Sequence, residues 1–162
     1  MISNLVLNKS LRNELPAFIG NQIFITKDNK RKTVRTWSDI KSLARECCFA
    51  IRKEDKGETT AVLFVWKSNA FTGPIGLNVT RNYVKIAYRN LVDADDCLMV
   101  LNWNFNKEVY IKLDKNSPLI NSFRQKGFKR CHDRGDEVLL CRSSNDKRFF
   151  VPYKEGDNED EE

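Results

Sequence analysis

Apolar positions along the chain follow two different periods. Ile40, Leu43, Ala44, Cys47 and Ile51 recur at helical spacing, which predicts an amphipathic helix starting near Thr36 or Ser38, with Gly57 beyond its end. Residues 59–66 (TTAVLFVW) are apolar on both faces, as in a central strand covered on both sides. Residues 83–89 (YVKIAYR) alternate: Val84, Ile86 and Tyr88 take one face, and Tyr83, Lys85, Ala87 and Arg89 form a mixed aromatic–basic face on the other. Upstream, residues 1–20 read as a weakly helical lead-in closed by Gly20. Residues 22–26 and 32–37 read as short strands around the Asp28-Asn29-Lys30 turn. Gly73-Pro74 and Gly76 mark a loop. Asp93 is the expected N-cap of a helix to about Trp103, with Asp95 and Asp96 in its first turn. A strand over residues 108–113 follows. Ser117 and Pro118 open a short helix that Gly127 closes, and a hairpin spans residues 128–132 and 137–141. The order β-β-α-β-β-α-β-α-β-β predicts an α/β domain.

The 162 residues suit one domain, and 41% apolar residues suffice for a core. The longest wholly apolar run, residues 61–66, is far short of the ~20 residues that span a bilayer, so no membrane role is expected. The N-terminal stretch shows no secretory pattern, and a cytoplasmic protein is expected. Five cysteines without a CxxC pair, and the single His132, fit neither a disulfide framework nor a zinc site. The thiols are therefore expected to be reduced. Cys131 and His132 are neighbours on a strand, where side chains point to opposite faces, so a Cys–His dyad is not expected. No GxSxG, GxxxxGK[ST] or GxGxxG occurs. Arg134-Gly135-Asp136 reads as a hairpin turn.

Charge changes the picture. The net +6 conceals a split: residues 154–162 carry six acids and one base, leaving 27 bases and 16 acids in residues 1–153. A basic globule (1–153) with a disordered acidic tail (154–162) is expected. Its cations gather at Lys30, Arg31, Lys32 and Arg35, at Lys85 and Arg89, and at Arg124, Lys126, Lys129 and Arg130. Such clusters suit phosphates through counterion release, and nearby aromatics suit stacking on bases. These ten residues are the expected nucleic-acid contacts. No DNA-reading motif accompanies them, so contacts to the backbone are expected.

Residues 116–128 (NSPLINSFRQKGF) resemble the late motif of the GNAT N-acetyltransferase superfamily. Asn116, Leu119, Phe123, Gly127 and Phe128 match its spacing, and the preceding elements run in GNAT-like order from about residue 22. The resemblance implies a single GNAT-like domain: a mixed, mostly antiparallel sheet flanked by helices. It also implies an acyl-CoA loop, Q/R-x-x-G-x-G/A, which would fall on residues 89–94. Arg89 and Ala94 match, but Val92 stands in place of the central glycine, and Asp93, Asp95 and Asp96 crowd the phosphate position. Phe123 stands where many members carry a tyrosine acid; Tyr110, Tyr83 and Cys97 are the alternative donors.

Two functions follow as expectations. The first is a non-catalytic GNAT-like protein without cofactor that binds nucleic acid or the transcription or replication machinery, such as a phage or microbial regulator of host transcription. The second is an N-acyltransferase using acetyl-CoA on an amine of a base or protein, with Arg89, the backbone near Ala94 and Asn116 holding the cofactor.

Overall fold

The computed structural model describes residues 1–25, 30–72 and 78–144. The chain starts with β1 (Ile2–Asn4), a 3-10 turn (Lys9–Leu11), α1 (Glu14–Ile19), and the antiparallel pair β2 (Ile23–Ile25) and β3 (Arg31–Thr33). It continues with α2 (Trp37–Glu46), β4 (Cys47–Asp55), β5 (Glu58–Thr72), β6 (Asn78–Tyr88) and α3 (Leu91–Asn104). β7 (Val109–Asp114), α4 (Leu119–Gln125), β8 (Lys129–Arg134) and β9 (Glu137–Arg142) complete it. Seven strands form one sheet in the order β1-β4-β5-β6-β7-β9-β8. Every neighbouring pair is antiparallel except β6–β7, as a mixed, mostly antiparallel α/β domain requires. The expected acidic tail, the expected loop at Gly73-Pro74 and most of the turn at Asp28-Asn29-Lys30 lie outside the described residues.

The doubly apolar run of β5 has its reason in two layers. Ala61, Leu63 and Val65 face α3 and α4, packing with Leu98, Leu101, Ile120 and Phe123. Val62, Phe64 and Trp66 face the other way, against Leu15, Ile19, Phe24, Val34 and Ile40 of the N-terminal elements. β6 divides as its alternation predicts, with Val84 and Ile86 in the first core and Tyr83 and Ala87 in the second. α2 opens on a capping box in which Thr36 Oγ1 accepts from Asp39 N–H and the Asp39 carboxylate accepts from Thr36 N–H. Gly20 ends α1 in the left-handed region (φ 65°), where a Cβ would be strained.

Three local expectations need correction. The α2 helix stops at Glu46, and Cys47 and Ile51 belong to β4. Ile51 fits the helical stripe but also a two-residue period with Phe49, with which it shares a face, and only a strand here can pair with both β1 and β5. Gly57 accordingly turns the β4–β5 hairpin (φ 84°). The cap of α3 is Asn90, not Asp93: Asn90 Oδ1 accepts from Asp93 N–H at 3.1 Å. Finally, the thiols are not all reduced, because Cys131 and Cys141 form a disulfide across β8 and β9. A register shift between Arg130 and His132 carries Cys131 out of regular alternation and leaves its Cα 6.2 Å from that of Cys141.

Candidate functional site: the gap between β6 and β7

β6 and β7 are parallel neighbours joined at only two positions, Asn82↔Val109 and Tyr83↔Tyr110. Past these, no β6 residue has a β7 partner, although β6 stays paired with β5 to Tyr88 and β7 with β9 to Asp114. The sheet is therefore continuous at the base of the two strands and open between their C-terminal halves. Backbone parity fixes what faces the opening. Arg89 N–H donates to Thr60 O at 2.9 Å, so Arg89, Ala87 and Lys85 direct their backbone groups at β5. Val84, Ile86 and Tyr88 direct theirs at the gap. The Tyr83↔Tyr110 bridge uses the Val84 N–H, which leaves the Val84 carbonyl and the backbone groups of Ile86 and Tyr88 as an edge in the middle of the sheet that an extended amide-bearing chain can complete.

α3 starts at the open end. Its first two N–H groups, Leu91 and Val92, precede the ones used locally: Asp93 N–H goes to Asn90 Oδ1 and Ala94 N–H to Asn90 O. Lys53 on β4 takes two of the acids, with Nζ 2.9 Å from Asp93 Oδ1 and 2.6 Å from Asp96 Oδ2. Hydrogen bonds to Asp96 and then Asp93 hold the Lys53 ammonium up at about 12. At 100° per residue, Asp93 and Asp96 share the flank toward β4, whereas Asp95 lies on the flank of Asn102. Asn102 Nδ2 donates to Lys126 O beyond α4. Asp95 Oδ1 and Asp93 Oδ2 are buried without a hydrogen bond. The expectation that three carboxylates obstruct a phosphate at this helix start reduces to one, because Lys53 turns two of them away.

The base of the gap is aromatic. Phe24, Trp66, Tyr83 and Tyr110 form a chain with ring centroids 4.9, 6.3 and 6.0 Å apart, and the Arg81 guanidinium lies 4.6 Å above the Tyr110 ring. The Tyr83 hydroxyl is buried without a hydrogen bond, and burial pushes it up to about 12. Burial also raises Tyr110. Both phenols thus hold their protons at neutral pH. Phe123, at the motif position of the tyrosine acid, is fully buried with its ring edge-on to Phe128 at 4.9 Å. Cys97 is sealed in the α3 core, its thiol pushed up to about 12 by burial. Of the alternative proton donors, only Tyr83 and Tyr110 stand at the gap.

The other sequence-derived residues are dispersed. Ala94 is wholly buried with its N–H used inside the helix, which removes it as a phosphate ligand. Arg89 stands at the start of α3, with Nη1 3.5 Å from Glu58. Asn116 is exposed between β7 and α4. Lys85 does not belong to an open basic face: the β2–β3 pair covers it, its Nζ donates to Ile23 O at 2.6 Å, and burial lowers its pKa. Lys32 donates to Ser42 Oγ at 3.0 Å, while Lys30, Arg31 and Arg35 are exposed. Arg124, Lys129 and Arg130 are exposed and Lys126 half-buried around α4 and edge strand β8, with Arg130 3.6 Å from Asp133. Sequence reasoning missed Lys53, whose segment reads as helix. It also missed Arg142, which donates to Asn102 Oδ1, Phe105 O and Lys107 O. No helix among the described residues is long and apolar enough to cross a membrane.

No protein-family profile matches the chain, and comparison with curated protein sequences gives no match. Solved structures do. A ribosomal-protein-alanine N-acetyltransferase from Brucella melitensis superposes with a TM-score of 0.62 at 10% identity, covering 88% of this chain and 99% of that one. An aminoglycoside 6'-acetyltransferase type Ii gives 0.60 at 11% identity, covering 95% and 99%. The GNAT domain of S. lividans PAT gives 0.56 at 12%, covering 86% and 88%. The parallel pair that opens beyond Tyr83 and Tyr110 thus lies within a shared architecture, and the chain has the GNAT acetyltransferase fold.

Proposed function

We propose that the chain is an acyl-CoA-dependent N-acyltransferase whose donor lies in the gap between β6 and β7. The observation that carries this reading is the two-position β6–β7 contact, which leaves the backbone of Ile86 and Tyr88 facing the opening. The amides of a pantetheine arm match such an edge. The first two N–H groups of α3, at Leu91 and Val92, with Arg89 beside them, suit the donor's phosphates. When bound, acyl-CoA supplies an activated acyl group. Among the described residues, Tyr83 and Tyr110, protonated at the base of the gap, are suited to donate a proton. The acceptor is an amine of a base or protein.

Calorimetry with acetyl-CoA tests the reading. Low-micromolar binding is expected for the unmodified chain, and weakening by about tenfold for Val92→Asp, which sets a charge at the exposed start of α3. Absence of binding to the unmodified protein rejects it.

A second reading has one observation in its favour. All six β8 residues are exposed, among them Lys129, Arg130 and Arg134 on this edge strand, and Arg124 at the end of α4 is exposed as well. Together with Arg31 and Arg35 they suit the phosphates of nucleic acid, or an acidic partner in nucleic-acid machinery. Binding to duplex DNA that weakens steeply between two salt concentrations supports it; absence of binding at low salt ends it.

A further inference from the structure

The sheet face away from α3 and α4 carries a charge arrangement at the gap. Backbone parity puts Tyr83 and Lys85 of β6, and Tyr110 and Lys112 of β7, on that face. Continuing the register of Tyr83↔Tyr110 sets Lys85 opposite Lys112 across the opening, one level past the tyrosines. That level runs Phe64, Lys85, Lys112, Leu139 and His132 across the sheet and holds no acid. Asp114 and Glu137 stand one level further on, where Arg134 is the cross-strand partner of Glu137. Lys85 is half-buried under the β2–β3 pair, and one of its three N–H donors goes to Ile23 O at 2.6 Å. Lys112 is exposed. Burial and then repulsion by Arg31 of β3 lower the Lys85 pKa, and the attraction of Glu137 is smaller than either. The charge around Lys85 is therefore net positive even with its nearby acid counted.

We propose that the acceptor amine is carried on a molecule with an oxyanion group, a phosphate or a carboxylate, and that Lys85 and Lys112 bind that group across the gap. The proposal rests on the acyltransferase reading. α3 and α4 pack over the other face of the central strands, so the acceptor reaches the gap from the lysine side. Its amine lies over Tyr83 and Tyr110, where the two strands meet, and its anion sits one level away, about 7 Å along the strands. An ammonium group on either side of the anion gives charge-assisted hydrogen bonds, and the same two groups repel a polycationic acceptor. An oxyanion here also offsets the repulsion between Lys85 and Arg31.

Two measurements on the full chain test this. In the first, lysines are trace-labelled with an N-hydroxysuccinimide ester and read by peptide mapping, in inorganic phosphate, acetate or chloride at matched ionic strength. Phosphate or acetate should slow labelling of Lys85 and Lys112 by about threefold relative to chloride, while the exposed Lys56 in the β4–β5 turn keeps its rate. The anion that protects tells a phosphate carrier from a carboxylate carrier. In the second, phosphoethanolamine, β-alanine and ethanolamine are offered as acceptors with acetyl-CoA. An anionic amine should lead ethanolamine by about tenfold in kcat/KM, and the lead should shrink to near parity in Lys112→Gln, a change at an exposed position. Protection of neither lysine, equal slowing at Lys56, no lead of either anionic amine, or a lead unmoved by Lys112→Gln overturns the proposal. Calorimetry with acetyl-CoA separates the two readings: donor binding without lysine protection overturns the oxyanion site alone, whereas absence of donor binding rejects the acyltransferase on which it rests.

Discussion

Replacing Lys53 by methionine removes the cation that pairs with Asp93 and Asp96 in the first turns of α3. Its Nζ lies 2.9 Å from Asp93 and 2.6 Å from Asp96, and the Lys53 and Asp93 side chains are only 17% and 10% exposed. Asp96, at 44%, can return to water; Asp93 cannot. Breaking a fully buried pair costs about 3–5 kcal/mol, and an exposed one about 0–1. The intermediate burial here places the loss near 2–3 kcal/mol. With a urea slope of about 2 kcal/mol/M, the unfolding midpoint of Lys53→Met should fall by about 1 M. Adding Asp93→Asn removes the stranded charge and should recover at least ~1 kcal/mol, a coupling that a double-mutant cycle reads directly. The pH dependence has a definite sign. The folded-state pKa of Lys53, about 12, lies above its ordinary 10.5, so its contribution is complete below ~10.4 and is lost as pH rises through about 12. The gap between the unmodified protein and Lys53→Met should therefore be constant near neutrality and narrow above pH 10.5. A variant within 0.5 kcal/mol of the parent, or a gap that persists at high pH, refutes the reasoning.

Other changes separate chemistry from packing. Tyr83→Phe removes a buried hydroxyl that makes no hydrogen bond, so thermal stability should stay within about 0.5 kcal/mol. Turnover, followed by thiol release, should fall by about a hundredfold if Tyr83 is the proton donor; unchanged turnover assigns that role elsewhere. Phe123→Tyr adds a hydroxyl at a fully buried position against Phe128. It should cost about 1–3 kcal/mol without raising turnover, and a stable, faster variant contradicts the core assignment.

Much of this fold is legible in the sequence because its central strands are patterned without ambiguity. β5 and β6 carry alternations that the two cores reproduce residue by residue. β4 is hidden because Ile51 satisfies both periods, and with it went Lys53, whose partners lie forty residues away. The charge balance at α3 was therefore unreadable: three aspartates are visible in the sequence, but the lysine that turns two of them away is a tertiary neighbour. Lys85 misleads for the related reason that strand alternation gives its face but not what covers that face, here the β2–β3 pair. The disulfide needs a register shift that no spacing rule predicts. The residue order 116–128 carries the family resemblance correctly to the fold, whereas the gap itself is a property of where parallel pairing stops.

Hydrogen exchange along β6 tests the central claim most directly. In the free protein, Ile86 and Tyr88 amides should exchange markedly faster than those of Lys85 and Ala87, which are bonded to β5. Acetyl-CoA should slow those two and leave the alternate residues unchanged. Uniform protection along β6 in the free protein, or no change at Ile86 and Tyr88 with acetyl-CoA present, contradicts a donor site between β6 and β7.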